Sequence, residues 1–184
     1  GQDVLLAALP LCGNLARSTR IEFVGGGWMK DQLRKTAAAS GLGDRCTFTG
    51  IISRNEVLQK MAAAKISVVP SRHEAFGIVN VESMSVGTPV VASHIDGIPE
   101  IVRDGVDGFL VPPGDAAALA DKLSLLLSNP SLCDRLGQNA RQRFLNQYED
   151  SAVLGPQADW LHQLVHGSRP QDATRQNLHE TCAR

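Results

Sequence analysis

The chain has 184 residues, of which 43% are hydrophobic and 20% are charged, and its formal net charge is -1. This balance is typical of a globular domain with a hydrophobic core, and it excludes a wholly disordered or membrane-embedded chain. The small net charge argues against a broad basic surface, so we expect no nucleic-acid partner.

Cysteine spacing indicates a reducing compartment, and hydropathy indicates neither a membrane span nor a leader. The four cysteines are widely spaced without a paired metal-ligand spacing, and we expect free thiols at Cys12, Cys46, Cys133 and Cys182. No apolar run is long enough to span a bilayer, and no basic-then-apolar leader opens the sequence. The sequence therefore predicts a cytoplasmic protein.

Helical and strand-like patterns alternate along the first half of the chain. The predicted helices cover residues 3–13, 29–40 and 54–64, and the predicted strands cover residues 21–24, 46–49 and 66–70. The last of these strands is almost continuously apolar, which is typical of a parallel sheet that is buried on both faces.

The alternation continues through the second half. The predicted elements are a helix over 77–86 that ends at Gly87-Thr88-Pro89, a strand over 90–92, a short helix opened by Pro99, a strand over 109–111, a helix from the Asp115 cap to about Ser128, and a helix from Ser131 to about Tyr148. This order predicts an α/β fold with a doubly wound, Rossmann-like parallel sheet. Residues 1–165 would form this domain, and residues 166–184 would be a disordered polar tail.

Sheets of this type bind ligands at the carboxyl ends of their strands, which selects the loops at 25–28, 50–53 and 71–77. The first of these loops contains Gly25-Gly26-Gly27 between a strand and a helix, a context that suits a phosphate or nucleotide. Its spacing fits neither the dinucleotide fingerprint nor a P-loop. The alternative interpretation, a tight turn that binds no ligand, stays open. We expect Trp28 to cover the core rather than to stack on a base.

The segment from Ser71 to Glu82 has a more specific pattern. Gly77 lies near the start of a helix, where free amides and an open backbone could bind a diphosphate. Glu82 lies further along that helix, and helical side chains lean toward the N-terminus, so its carboxylate would point back to the ligand.

Glu74 and Glu82 are two carboxylates on one strand-loop-helix element. Beside a diphosphate they would contact hydroxyl groups, with one glutamate for each of two sugars. Paired carboxylates also suit a glycoside hydrolase, although their origin in one element beside an anion site favours binding of a sugar donor. It stays open whether Glu82 is only a solvated helix residue and Glu74 a helix-cap acid.

The seven residues between Glu74 and Glu82 give a spacing that resembles the E-x7-E motif of the retaining glycosyltransferases with the GT-B fold. The resemblance to this family covers the chain from Gly1 to about Tyr148. Further segments that resemble this family, in order, are Val68-Val69-Pro70-Ser71, Gly87-Thr88-Pro89-Val90-Val91-Ala92, Gly97-Ile98-Pro99-Glu100-Ile101-Val102, Asp107-Gly108-Phe109-Leu110-Val111 and Pro112-Pro113-Gly114-Asp115. The chain thus resembles the C-terminal, donor-binding half of a group 1, family-four type member.

The resemblance implies roles for the matched positions. Glu74 would be the catalytic-site residue that contacts hydroxyl groups of the donor sugar, and Glu82 would bind the ribose. The amides around Phe76, Gly77 and Ile78 would hold the diphosphate. Gly25 and Gly27 would shape the nucleotide pocket, and the backbone at Ile51 would border the base.

The resemblance also implies an activity, namely retaining transfer of a hexose from a UDP- or GDP-sugar to a hydroxyl group. The leaving phosphate would assist the incoming hydroxyl group, without a metal or a cofactor. Family members carry an Arg and a Lys just before the position of Gly1, and an N-terminal domain that binds an acceptor sugar or lipid and could associate with a membrane surface. Without these groups the isolated chain is expected to be inactive. The alternative is a non-catalytic nucleotide-sugar-binding module that acts with a separate acceptor subunit.

Overall fold

Strands and helices alternate along residues 1–149, the part of the chain that the computed structural model describes. The five strands are β1 (Ile21–Val24), β2 (Cys46–Gly50), β3 (Ser67–Val69), β4 (Val90–Ser93) and β5 (Gly108–Val111). The eight α-helices of these residues are α1 (Gln2–Ala8), α2 (Asn14–Arg17), α3 (Lys30–Ala39), α4 (Arg54–Ala63), α5 (Ile78–Ser85), α6 (Ile98–Ile101), α7 (Ala116–Ser128) and α8 (Pro130–Gln147). The expected domain end at residue 165 and the expected tail over 166–184 lie outside the described residues.

The predicted parallel α/β architecture is confirmed, and its strands form two hydrogen-bonded sheets. β1 pairs with β2 in one sheet, and the order in the other is β3-β4-β5, with every pair parallel. Within residues 1–149 no ladder joins the two sheets. The predicted parallel sheet is therefore divided into two smaller sheets, and helices alternate with the strands of both along the chain.

Local sequence explains where several helices begin and end. α1 is shorter than predicted, because Pro10 lacks an N–H group and disfavours a further α-turn, and a 3-10 turn over Leu9–Cys12 follows instead. The predicted cap of α7 is confirmed, since the Ala118 N–H donates to Asp115 Oδ1 at 2.9 Å. The one-turn helix α2 has no apolar repeat that would predict it.

A single core holds the strand ends in place. Leu6 of α1, Leu119 of α7, Leu136 of α8 and Val91 of β4 belong to one cluster of buried side chains within Gly1–Leu145, which form one compact unit. Burial of a side chain of this size stabilises the fold by about 1.5–3 kcal/mol. The loops at the carboxyl ends of the strands therefore start from fixed positions.

The expectations of free cysteines and of no membrane-spanning helix can be compared with residues 1–149. Cys12, Cys46 and Cys133 are free cysteines, as predicted, whereas Cys182 lies outside the described residues. None of the helices within residues 1–149 combines the length and the apolar character that crossing a membrane requires.

Candidate functional site

The loops at residues 25–28 and 50–53 lie side by side at the carboxyl ends of β1 and β2. The Gly25 N–H donates to the Gly50 carbonyl oxygen at 3.0 Å, and a Cβ added at Gly26 would stand 3.0 Å from Ile51 Cγ1. Gly25 has a φ of +114°, which favours glycine, and a side chain at Gly26 would crowd Ile51, so both positions suit glycine for different reasons. The structure thus brings the predicted positions Gly25, Gly27 and Ile51 to one edge.

An ion pair links the second loop to the third element of the site. Ser53 and Glu56 form a capping box at the start of α4, which places Arg54 in the first turn of that helix. The Arg54 Nε donates to Glu82 Oε1 at 3.1 Å. The Glu82 side chain is 17% exposed and that of Arg54 is 75% exposed. The Glu82 carboxylate is therefore oriented by a cation that lies largely in solvent.

Gly77 is the N-cap of α5 and has a backbone conformation that favours glycine. Its φ is +91°, and a Cβ added there would stand 2.6 Å from Asn80 Nδ2. Within the described part of the chain, the backbone N–H groups of Phe76, Gly77 and Ile78 have no hydrogen-bond acceptor. Free amides and an open backbone at a helix start form an arrangement that suits an anion.

Two buried polar side chains, one beside Gly77 and one at the end of β4, lack hydrogen-bond partners within residues 1–149. Asn80 is fully buried, and neither Nδ2 nor Oδ1 of its side chain has a hydrogen-bond partner among the described residues. The Ser93 hydroxyl group at the end of β4 is also buried and, within the same residues, without a partner. An unpaired buried polar atom costs about 1–3 kcal/mol, so such atoms are typical of positions with a function beyond packing.

Glu74 lies in the loop between β3 and α5, and Asp96 holds its backbone. The Glu74 N–H donates to Asp96 Oδ2 at 3.0 Å. The Glu74 side chain is half-buried, and its carboxylate makes no hydrogen bond or ion pair within residues 1–149. Its backbone is therefore fixed while its carboxylate stays open to a ligand.

Large apolar side chains are exposed along this edge of the molecule. Ile51 is 90% exposed, Trp28 89%, Ile78 60% and Phe76 52%. The interpretation of Trp28 as a cover for the core is wrong, because the preceding glycine loop turns this side chain into solvent. We name Trp28, Ile51, Phe76 and Ile78 the apolar rim, because they lie in or next to the three loops at the carboxyl ends of the strands.

An ion pair fixes the start of the loop that carries Glu74. The Arg72 Nη1 and Nη2 donate to Asp3 Oδ1 and Oδ2 of α1 at 2.7 and 2.6 Å. This two-fold hydrogen bonding lowers the pKa of the Asp3 carboxyl group to about 2. The loop is thus tied to α1 at its beginning and to Asp96 at Glu74.

The edge offers three kinds of chemical contact. The amides at the start of α5 suit an anion, the carboxylates of Glu74 and Glu82 suit hydroxyl groups, and the apolar rim suits a planar or apolar group. Within residues 1–149 no group of three or more His, Cys, Asp or Glu side chains is arranged to hold a metal ion. An anionic ligand with hydroxyl groups on both sides of its charge matches this combination.

Two residues of this edge were not predicted from the sequence. Arg54 had a usable signal, because the Ser53-x-x-Glu56 capping box fixes a helix start beside the second loop. Asp96 had only the weak signal of an Asp-Gly turn, and its hydrogen bond joins residues that are 22 positions apart. No local pattern predicts such a contact.

Solved structures share this fold. Anabaena Alr3699/HepE in complex with UDP matches with a TM-score of 0.79 and 29% identity, over 89% of this chain and 45% of that chain. Sucrose-phosphate synthase from Thermosynechococcus elongatus matches with a TM-score of 0.77 and 31% identity, over 91% of this chain and 44% of that chain. The fold is thus that of the C-terminal half of a GT-B glycosyltransferase.

Sequence comparison defines the family. The family model described as "Glycosyl transferases group 1" matches residues 1–143, and the chain belongs to this family, as its resemblance predicted. It is 38% identical over 180 residues to the phosphatidyl-myo-inositol mannosyltransferase of Mycobacterium leprae. This alignment covers 95% of the present chain and 46% of that protein. It is 34% identical over 137 residues to the alpha-D-kanosaminyltransferase of Streptomyces kanamyceticus, with 74% and 36% covered. The chain spans less than half the length of these relatives.

Proposed function

We propose that this chain is the donor-binding half of a retaining glycosyltransferase, which transfers a hexose from a UDP- or GDP-sugar to an acceptor hydroxyl group. One observation carries the proposal: the element from Glu74 to Glu82 has free amides at its centre and a carboxylate at each end. A nucleotide-sugar has the same order of groups, with a diphosphate between a hexose and a ribose.

In this proposal the diphosphate lies on the amides of Phe76, Gly77 and Ile78. The aligned peptides of α5 add a partial positive charge of about 0.5 at that end. Glycine at position 77 keeps this turn in place, because an added Cβ would overlap Asn80 Nδ2 at 2.6 Å and displace the amides. Structures of Anabaena Alr3699/HepE, 28–29% identical to this chain, were solved with UDP and with UDP-glucose, which supports a nucleotide-sugar as the ligand class.

The two carboxylates contact the two sugars of the donor. Glu82 accepts hydrogen bonds from the ribose, and Glu74 accepts them from the hexose. Each hydrogen bond to a charged acceptor contributes about 1.5–3 kcal/mol. The base lies at the loops that contain Gly25, Gly27 and Ile51, where the apolar rim covers one side of it.

We propose that transfer occurs on the front face of the hexose. The bond from C1 to the phosphate oxygen breaks, the acceptor oxygen bonds C1 from the same side, and the leaving phosphate takes the acceptor's proton. This sequence keeps the configuration at C1 without a covalent nucleophile. In this proposal no cofactor takes part, because the donor carries its own leaving group, whose charge is met by amides and cationic side chains.

The partial coverage of the relatives fits a longer protein. In this proposal a strand precedes Gly1 and lies beside β3, because Gly1 lies against Pro70 just after β3. We propose that this segment carries an Arg and a Lys for the leaving phosphate. An N-terminal domain before it would bind an acceptor sugar or lipid in the cytoplasm, in part at a membrane surface. The present chain alone is then expected to bind the donor without transferring the sugar.

Calorimetric titration of the chain tests donor binding. UDP, UDP-glucose, GDP and GDP-mannose are titrated into the wild type and into Glu82→Ala. We expect binding to one of the two nucleotide series, and a roughly 10- to 100-fold weakening by Glu82→Ala, which removes hydrogen bonds to a charged acceptor. Unchanged affinity in this variant would contradict the ribose assignment.

A matched control removes a carboxylate elsewhere. Asp121 lies exposed on α7, outside the three loops of the site. Asp121→Asn changes the net charge by the same amount as Glu82→Ala, so we expect it to leave the dissociation constants unchanged. Equal weakening by both variants would mean that net charge, rather than the Glu82 contact, governs binding.

A further inference from the structure

Asp96 has a backbone conformation that other side chains rarely adopt. Its φ is +48°, and it is the only non-glycine residue with a positive φ within residues 1–149. Aspartate tolerates this left-handed conformation better than most residues because its short side chain can form local hydrogen bonds. Backbone strain of this kind persists where surrounding contacts require it, and it is common in ligand sites.

The turn at Asp96 and Gly97 lies directly against the loop that carries Glu74. Asp96 Oδ2 accepts the Glu74 N–H at 3.0 Å. A Cβ added at Gly97 would stand 3.1 Å from the Ala75 carbonyl oxygen and 3.3 Å from that of Phe76. A side chain at Gly97 would therefore push the loop away, and glycine keeps it within reach of Asp96.

Contact continues to the end of the loop. A Cβ added at Gly77 would stand 3.3 Å from Ile98 Cγ1 and 3.5 Å from Glu74 Cγ. The segment from Asp96 to Ile98 thus borders the loop from Glu74 to Gly77. Among residues 1–149, Asp96 makes the one hydrogen bond to the backbone N–H of Glu74.

Resting on the proposed function, we propose that Asp96 is a positioning residue for Glu74 in recognition of the donor sugar. Its carboxylate fixes the Glu74 N–H, and thereby the point from which the Glu74 side chain reaches the hexose hydroxyl groups. The other carboxylate, Glu82, is held separately by Arg54. Loss of Asp96 therefore affects the hexose end of the donor and spares the nucleotide end.

Two substitutions separate this role from a general effect on the fold. Asp96→Gly keeps the left-handed backbone and removes the acceptor, whereas Asp96→Asn keeps both, because its amide oxygen can accept the Glu74 N–H. The nucleotide and nucleotide-sugar of the series that the wild type binds, written here as UDP and UDP-glucose and replaced by GDP and GDP-mannose for the other series, are titrated into wild type and both variants. The urea midpoint of each variant is measured as a check on the fold.

We expect Asp96→Gly to weaken UDP-glucose about fivefold, to leave UDP within about twofold, and to leave the urea midpoint near that of wild type. Asp96→Asn restores the affinity for UDP-glucose.

Unchanged binding of UDP-glucose by Asp96→Gly, with weakening by Glu74→Gln, would overturn the role of Asp96 and leave the proposed function standing. Equal weakening of UDP and UDP-glucose together with a lower urea midpoint would also overturn it, since the role would then be structural. Failure of the wild type to bind any nucleotide would overturn both proposals.

Discussion

The two carboxylates of the Glu74–Glu82 element are held in opposite ways. Asp96 fixes Glu74 through its backbone N–H, and within residues 1–149 the Glu74 carboxylate itself is unpaired. Glu82 has its backbone fixed by the hydrogen bonds of α5, and its carboxylate is oriented by Arg54. A loop residue needs an external partner for its backbone, whereas a helix residue needs one only for its side chain. Variants at the two ends should therefore affect different parts of a donor.

Gly77→Ala gives the largest expected effect, because Gly77 lies between the two carboxylates and serves both. The added Cβ meets Asn80 Nδ2 at 2.6 Å in a backbone conformation with φ +91°. The left-handed conformation costs about 1–2 kcal/mol, and the overlap with a buried side chain adds roughly 1–3 kcal/mol. We expect this loss in urea unfolding and no detectable binding of UDP or UDP-glucose.

Gly114→Ala is the matched control for Gly77→Ala. Gly114 has a φ of +78°, and an added Cβ there meets nothing within 4 Å. Only the conformational cost of about 1–2 kcal/mol is then expected, with nucleotide affinity unchanged. If Gly77→Ala were no less stable than Gly114→Ala and still bound UDP, the open backbone at Gly77 would have no part in the site.

Arg54→Ala tests the nucleotide end of the comparison. The variant frees the Glu82 carboxylate and removes a cation beside an anionic ligand. Because Arg54 is 75% exposed, we expect UDP affinity to fall only about two- to fivefold, with a smaller change at high salt. Titrations at two salt concentrations measure this change, and Arg135→Ala on the exposed face of α8 is the charge-matched control. Tighter UDP binding by Arg54→Ala would show that Arg54 competes with the ribose.

Asp3→Asn gives the smallest expected effect, since it acts through Arg72 on the start of the Glu74 loop rather than on either carboxylate. The Arg72 guanidinium lowers the pKa of Asp3 from 3.8 to about 2. A lowered carboxyl pKa in the folded state stabilises the fold above pH 3.8, and the contribution disappears as the pH falls through about 2.

For a pair this exposed, we expect Asp3→Asn to lower the free energy of unfolding by about 0.5–1 kcal/mol at pH 7. Urea unfolding at several pH values should show the difference from wild type shrinking between about pH 4 and pH 2. A difference that stays constant with pH would contradict the ion pair with Arg72, and a double-mutant cycle with Arg72→Gln isolates the pair.

Periodicity and capping signals predict most of this fold because they act within a few residues. Asp115 caps α7 and Gly87 follows the end of α5, as the sequence indicates. Prediction fails where tertiary contacts decide: the sequence does not reveal that the strands form two separate sheets, because strand pairing joins distant residues. Pro10 is an exception, because this local signal predicts the end of α1 before residue 13.

The candidate site shows the same division. The E-x7-E spacing and Gly77 are visible in the sequence, and the structure puts Gly77 at the start of α5. The partners of the two carboxylates are not visible, because Arg54 and Asp96 come from other loops. The exposure of Trp28 was also unpredictable from residue type, since an indole is as suitable for a core as for a ligand surface.

Titration of UDP and UDP-glucose into Glu74→Gln and Glu82→Gln tests the central claim most directly. Both substitutions keep the side-chain size and remove one negative charge. We predict that Glu82→Gln weakens both ligands by a similar factor of about 10, whereas Glu74→Gln weakens UDP-glucose by about that factor and leaves UDP unchanged. Equal effects of both variants on both ligands, or no effect of either, would contradict the assignment of one carboxylate to each sugar of the donor.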